Sequence, residues 1–286
     1  MSDGVGDLAS APASRLLDLV DLAAPGWALA ALVMFALWLW HLRLRNAGVV
    51  DVGWTASLML IAWLCAVAGP GYSLRRWLLV SMVTVWGVRL IAYLLRDRVI
   101  GHTEDPRYAD LRARESPVAV WSFFLFFQAQ ALLAVLLSLP ALTAAYNPEP
   151  RLSWVEIAAV ILFAVAFVGE TVADRQLELF KARPGARGKT CRDGLWRYSR
   201  HPNYFFEWLI WVSYALYALA SPWGVLALVC PALMLYFLFK VTGIPATEAQ
   251  AVRSRGDDYR EYQRTTSAFV PWFPKSGPRE LPGGRA

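Results

Sequence analysis

Apolar positions along this chain gather into seven long stretches, roughly 25–42, 52–69, 77–95, 118–139, 153–174, 204–219 and 222–241, divided by polar connections. An apolar run of about 18 residues or more is long enough to cross the hydrocarbon core of a bilayer as a helix. The pattern therefore predicts an all-α, polytopic membrane helix bundle of about seven transmembrane helices, forming a single integral membrane domain. The sixth stretch is the shortest and carries Glu207 near its start. Residues 1–24 read as an N-terminal tail without the positive n-region of a signal peptide. Within that tail, Leu16–Ala23 is expected as a short interfacial helix. After the last stretch the chain turns at Thr242–Pro245, and two short helical pieces follow, Ala246–Arg255 and Asp257–Arg264. Ser267–Phe273 is apolar enough to dock on the membrane or on the bundle. Gly, Pro and charge in 274–286 predict a disordered end.

Composition agrees with this pattern: 57% of residues are hydrophobic, only 17% are charged, and 14 are tryptophan. The net charge of +6 needs no nucleic-acid partner, because its distribution follows the connections. With seven spans, alternate connections fall on opposite sides. One side receives 4 Lys/Arg and the other 23, with Lys240 taken with the C-terminal tail and Arg89 left inside the third span. Positive connections stay in the cytoplasm, so the N-terminus is expected outside and the C-terminus inside. Three scattered cysteines and three histidines without ligand spacing support neither a disulfide framework nor a metal site.

The chemistry concentrates at Arg197-Tyr-Ser-Arg-His-Pro-Asn-Tyr-Phe-Phe-Glu-Trp208, a polar group at the mouth of an apolar helix. Pro202 suits a first helical turn. Asn203 and Glu207, four apart, then share one face. Arg197, Arg200 and His201 precede the helix N-terminus, itself an anion site. The preceding loop carries glycines together with Arg183, Arg187 and Lys189, residues able to approach and neutralise phosphate. Ionisable residues at Asp51, Arg89, Glu170, Asp174 and Glu207 fall, by the expected topology, at one depth in the inner half of the bilayer. That arrangement predicts a cavity open to the cytoplasm. Neither GxGxxG after a strand nor GxxxxGK[ST] is present, so no Rossmann or P-loop domain is expected.

Several motifs carry a resemblance. They are Asn46-Ala-Gly-Val-Val-Asp-Val-Gly-Trp54, Trp86-Gly-Val-Arg89, Glu104-Asp-Pro-Arg-Tyr108, Gly194–Trp208, Gly243-Ile-Pro245 and Asp258-Tyr-Arg-Glu-Tyr-Gln263. On these, about 230 residues resemble the bacterial integral-membrane proteins grouped as DUF1295, and Asp174–Pro271 resembles the C-terminal half of the steroid 5-alpha-reductase family. The resemblance implies a bacterial inner-membrane location and NADPH bound from the cytoplasm by residues 153–273. It further implies substrate-side helices in 25–143 and reduction of a conjugated carbon–carbon double bond in a lipid or steroid-like substrate. Asn203 and Glu207 then match the pair at the nicotinamide and ribose, Asp174 the acidic residue of the preceding helix, and Arg183, with a one-residue shift, a basic residue of the next loop. Arg187, Lys189, Tyr198, Arg200, His201, Glu248 and Tyr259 complete the expected cofactor-binding set.

The family's Gln-Glu pair and substrate-polarising Tyr have no counterpart in the N-terminal half, where Trp86 stands near the Tyr position. Asp51, Trp54, Arg89 and Tyr93 occupy that region and are the expected catalytic set. This departure counts against a steroid itself as substrate. The isoprenylcysteine carboxyl methyltransferases of the same superfamily also carry an Arg-His-Pro-x-Tyr stretch and an acidic residue in the tail, here Glu248. An S-adenosylmethionine-dependent lipid methyltransferase is therefore the alternative. A non-enzymatic lipid-binding or assembly protein is the third reading.

Overall fold

A computed structural model describes residues 11–44, 46–101, 117–241 and 243–275. Glu104–Tyr108 and most of 274–286 lie outside the described residues. The helices are α1 Ala11–Leu44, α2 Val49–Ala68, α3 Ser73–Leu94, α4 Pro117–Leu137, α5 Leu139–Ala144, α6 Trp154–Lys181, α7 Pro202–Ala218, α8 Val229–Tyr236, α9 Ile244–Arg255 and α10 Asp257–Thr265. Among the described residues there is no strand, only one bridge between Ser199 and Ser267. The fold is an all-α, polytopic helix bundle.

Six helical runs are long and apolar enough to cross a membrane: Leu17–Arg43, Val49–Ala68, Ser73–Leu94, Val120–Leu137, Trp154–Lys181 and Gly224–Arg255, the apolar part of the last ending at Val241, before the polar helix α9. The remaining expected span is α7. At 17 residues it is about 26 Å long, slightly short of a hydrocarbon core of about 30 Å, and Asn203 and Glu207 occupy its first two turns. Large apolar side chains on these runs face outward, among them Leu32, Val67, Val88, Leu125, Ile161 and Val168. A lipid solvent removes the cost that such surfaces would carry in water.

One expected element is corrected, and two others gain detail that apolar length does not carry. Leu16–Ala23 is no separate interfacial helix: α1 runs unbroken through Pro25, with Leu19 and Leu22 buried and the Asp18 carbonyl accepting the Tyr146 hydroxyl. The fifth span does not stop at residue 174, because its polar continuation Arg175–Lys181 stays helical. The last span is not one regular helix. A 3₁₀ segment Gly224–Leu228 leads into α8, and a π segment Phe237–Val241 closes it.

The chain divides into two compact units. The first comprises 1–159 and 214–230, and the second comprises 160–213 and 231–286. In the first, α1 packs on α2 and α4, and α2 also packs on α3 and α4. Gly53 of α2 allows close packing against α1, since a Cβ there would collide with Leu37. His41 is fully buried with its ring 5.1 Å from those of both Phe123 and Phe127.

One end of this unit is locked by Arg75, 1% exposed. Its guanidinium uses all five N–H donors: two to the Glu156 carboxylate and three to the carbonyls of Asn147, Glu149 and Arg151. Glu156 also accepts from the Ser153 N–H and hydroxyl, while Ser153 Oγ accepts from the Glu156 N–H, a capping box at the start of α6. Asn147 donates to the Ala220 carbonyl at 2.8 Å, so three connections meet around one ion pair.

In the second unit, Gly169 brings α6 and α7 together, since a Cβ there would enter the Phe206 ring. Beyond the last span, α9 and α10 pack on each other around Ala251, Tyr259 and Tyr262. Gly256, at φ +58°, turns the chain between them.

Candidate functional site

The polar mouth of the second unit is assembled from the end of α6, the loop after it, the start of α7 and the C-terminal tail. The Ala182–Asp193 loop is followed by a 3₁₀ turn, Gly194–Arg197. That turn is pinned to α6 by Leu195 N–H to Gln176 Oε1 at 2.8 Å and by Trp196 Nε1 to the Ala173 carbonyl at 2.8 Å. The helix then starts at Pro202, whose missing N–H costs nothing in a first turn.

Asn203 Nδ2 donates to Asp174 Oδ1 at 3.2 Å. Asn203 Oδ1 accepts from the Tyr204 N–H at 3.0 Å, so both ends of the amide are oriented. Glu207, one turn further on the same face, accepts from Trp211 Nε1 at 2.9 Å. On α6, Glu170 lies one turn before Asp174 and is 6% exposed. Asp174, Asn203 and Glu207 are half-buried. An amide and two carboxylates on adjoining helices offer hydrogen-bond donors and acceptors to a ligand with amide and hydroxyl groups.

Arg200 and His201 have internal partners. Arg200 Nε donates to Glu248 Oε1 at 2.6 Å, and its Nη1 donates to the carbonyls of Gln263 and Thr266, each at 2.8 Å. His201 Nε2 is 3.2 Å from the same Glu248 oxygen, and its ring stacks on Tyr204 at 5.3 Å. Gln263 Nε2 donates to Glu248 Oε2 at 2.8 Å. Burial alone would raise the Glu248 pKa, but hydrogen bonds from His201, Arg200 and Gln263 outweigh it and hold the carboxyl at about 2. Glu248 lies outside the apolar stretch of the last span, in a helix that also carries Arg253 and Arg255. These four side chains join the mouth to α9 and α10.

The tail completes the clasp. Ser199 Oγ donates to the Phe269 carbonyl at 2.8 Å, and the Arg200 N–H donates to the Ser267 carbonyl at 2.8 Å. The Tyr262 hydroxyl donates to the carbonyls of Trp196 and Ser199. Asp258 accepts from the Thr190 N–H at 2.7 Å and from Arg192 at 3.1 Å. Thus Asp258, Tyr262 and Gln263, on one face of α10, hold the loop and the mouth. Tyr259 is buried, and burial followed by the Glu248 charge pushes its hydroxyl up to about 12. Asp258, Tyr262 and Gln263 were not among the expected site residues, although their helical spacing within Asp258–Gln263 was the available signal.

The loop itself presents cations. Arg187 and Lys189 are exposed, and Gly185 and Gly188 hold φ of +76° and +80° with open space where a Cβ would be. Arg183 pairs with Asp193 at 2.6 Å, but both side chains are more than a third exposed, so the pair contributes little to stability. Arg197 is exposed, and Tyr198 lies with its ring 6.0 Å from Phe273.

The expected catalytic residues all belong to the first unit. Asp51 stands in the first turn of α2, and its carbonyl accepts from Thr55 Oγ1 at 3.0 Å. Trp54 meets Trp86 edge-on at 6.2 Å, and Trp86 meets Tyr214 at 6.4 Å. Arg89 and Tyr93, four apart, share a face of α3 and are half-buried. Tyr214 was not anticipated. Asp51 and Arg89 thus fall in one unit, and Glu170, Asp174 and Glu207 in the other. Among the described residues no three His, Cys, Asp or Glu side chains come together as a metal-binding group.

A family model described as "Protein of unknown function (DUF1295)" matches residues 37–266, and the chain belongs to that family. No curated protein and no solved structure matches the chain.

Proposed function

We propose that this DUF1295 member is a membrane-embedded reductase that uses NADPH to reduce a conjugated carbon–carbon double bond in an amphipathic lipid. The observation that carries the reading is the oriented Asp174–Asn203 contact with Glu207 on the same helix face, next to a glycine loop bearing Arg183, Arg187 and Lys189. This combination suits a phosphorylated dinucleotide: cations and open glycine backbone for the phosphates, and an amide with two carboxylates for the carboxamide and ribose hydroxyls. NADPH would supply the hydride. Asn203 and Glu207 would fix the ring that delivers it, while Arg187 and Lys189 neutralise phosphate charge. Arg200, His201 and Glu248 would act as positioning residues, setting the mouth against α9 and α10.

In the first unit, Arg89 and Tyr93 put a cation and a hydroxyl on one face of α3, groups of the kind that stabilise negative charge on a lipid oxygen. The Trp54, Trp86 and Tyr214 rings would form an apolar wall for the lipid. The site would open to the cytoplasm of a bacterial inner membrane, the side to which the charge distribution assigns these connections.

One observation favours the second reading, an S-adenosylmethionine-dependent lipid methyltransferase. Arg200, His201 and the ionised Glu248 form a single network, which joins the Arg-His-Pro-x-Tyr stretch to the acidic tail residue, the two features on which the methyltransferase resemblance rests. Thermal unfolding of the purified protein in detergent, with NADPH or with S-adenosylmethionine added, separates the two. An NADPH shift supports reduction, a shift with S-adenosylmethionine alone supports methyl transfer, and no shift with either supports a non-enzymatic lipid-binding protein.

A further inference from the structure

The segment after α10, Ser267–Lys275, has its backbone held at four points. Ser267 and Phe269 carbonyls accept from Arg200 N–H and Ser199 Oγ, Trp272 N–H donates to the Tyr198 carbonyl at 2.9 Å, and Lys275 N–H donates to the Thr265 carbonyl at 2.8 Å. A segment so fixed would turn its large apolar side chains inward if the protein were their only partner. Phe269 does so, at 7% exposure, with its ring against Phe205, Trp208 and Phe239. Val270, Trp272 and Phe273 do the opposite, at 53%, 70% and 76% exposure. Ordering a backbone in order to present Trp and Phe outward makes sense only if something apolar receives them.

The same unit shows what that is. At the end of the last span, Tyr236, Phe239 and Val241 are exposed as part of a run that crosses the membrane. Phe239 touches Phe269 at 5.2 Å, so the exposed patch of the tail continues the lipid-facing surface of that span. Tryptophan and its neighbours favour the depth where acyl chains meet headgroups. Exposed Lys275 follows directly, suited to a lipid phosphate, while exposed Arg264 at the end of α10 pairs with Glu261.

We infer that Val270–Phe273 is an interfacial anchor whose Val270, Trp272 and Phe273 side chains insert at the headgroup–acyl boundary of a phospholipid leaflet. Because the Trp272 N–H is bonded to Tyr198 and Ser199 is bonded to Phe269, the anchor sets the height of the polar mouth relative to the membrane surface. The inference does not depend on the identity of any cofactor.

The test places a nitroxide on the full chain at Trp272→Cys and at Phe273→Cys, with Asp257→Cys as a water-exposed reference, in vesicles of phosphatidylcholine and phosphatidylglycerol. Native Cys65, Cys191 and Cys230 are buried, and the unsubstituted chain provides the labelling blank. Collision with oxygen should exceed collision with a nickel chelate several-fold at 272 and 273, with the order reversed at 257. Chelate access at 272 and 273 equal to that at 257 would place the segment in water and overturn the inference. Exclusion of both reagents would also overturn it. In that case, spectral broadening that vanishes on dilution with unlabelled protein would identify a second copy as the occupant. If Trp272→Cys does not fold, Val270→Cys with Phe273→Cys gives the same reading.

Discussion

The Arg200 guanidinium donates to the Glu248 carboxylate at 2.6 Å, tying the mouth of α7 to the helix that follows the last span. His201 and Gln263 bond the same carboxylate, so residues separated by about 60 positions share one acceptor pair. Removing that carboxylate leaves a mostly buried guanidinium short of its acceptor, which costs more than the bond alone.

A pH dependence follows. Glu248 has its folded-state pKa lowered to about 2 from an ordinary 4.5. Its contribution is therefore fully present above about pH 4.5 and is lost as pH falls toward 2. By linkage this amounts to roughly 3 kcal/mol at most. Thermal unfolding in detergent from pH 7 down to pH 3 should show an acid-side loss in the native chain that Glu248→Gln reduces. Equal pH slopes for the two proteins would contradict the assignment.

The Arg75–Glu156 pair should be the more sensitive lock. Both side chains are essentially inaccessible to solvent, and removing one partner strands a buried charge. Glu156→Ala is expected to cost about 3–5 kcal/mol. Replacing both with apolar residues should cost less than the sum of the single changes, because neither charge is then left alone. A double-mutant cycle in detergent stability measures this.

Tyr262→Phe removes one hydroxyl that serves the Trp196 and Ser199 carbonyls. Loss of about 1–3 kcal/mol is expected, with the mouth loosened. Proteolysis of the Ala182–Asp193 loop should accelerate in this variant, and an unchanged cleavage rate would show that the clasp does not order the mouth.

Arg187→Ala and Lys189→Ala should weaken NADPH binding with little effect on the unfolding temperature of the ligand-free protein, because both side chains are exposed. Removing a charge-assisted hydrogen bond to phosphate should cost about 1.5–3 kcal/mol, roughly tenfold or more in Kd. Binding calorimetry at two salt concentrations checks both magnitude and origin, since the phosphate component should shrink as salt rises.

Much of the architecture was legible from the sequence. Apolar runs located the spanning helices because lipid rewards continuous apolar length, and Pro202 and Gly256 marked a helix start and a break for local steric reasons. Helix ends were less legible: Arg175–Lys181 continues α6 because a polar turn can stay helical outside the apolar zone. Long-range pairing was hidden altogether. Nothing local in Arg75 or Glu156 announces a partner 81 residues away. In the site, the shared face of Asn203 and Glu207 followed from spacing and Asp174 stood out as an ionisable residue closing a span, whereas its cofactor role entered through resemblance and its contact came only from the packing of α6 on α7. The engagement of Arg200 and His201 with Glu248, and the role of Asp258 and Tyr262, depend on where the tail returns, which no local pattern encodes.

The central claim is that Asn203, held by Asp174, belongs to an NADPH site. The most direct measurement is NADPH affinity of the purified full chain by calorimetry, for the native protein and for Asn203→Ala. The account predicts measurable binding by the native chain and at least tenfold weaker binding by Asn203→Ala, with nearly the same ligand-free unfolding temperature. No NADPH binding by well-folded native protein, or equal affinity in the two, would contradict it.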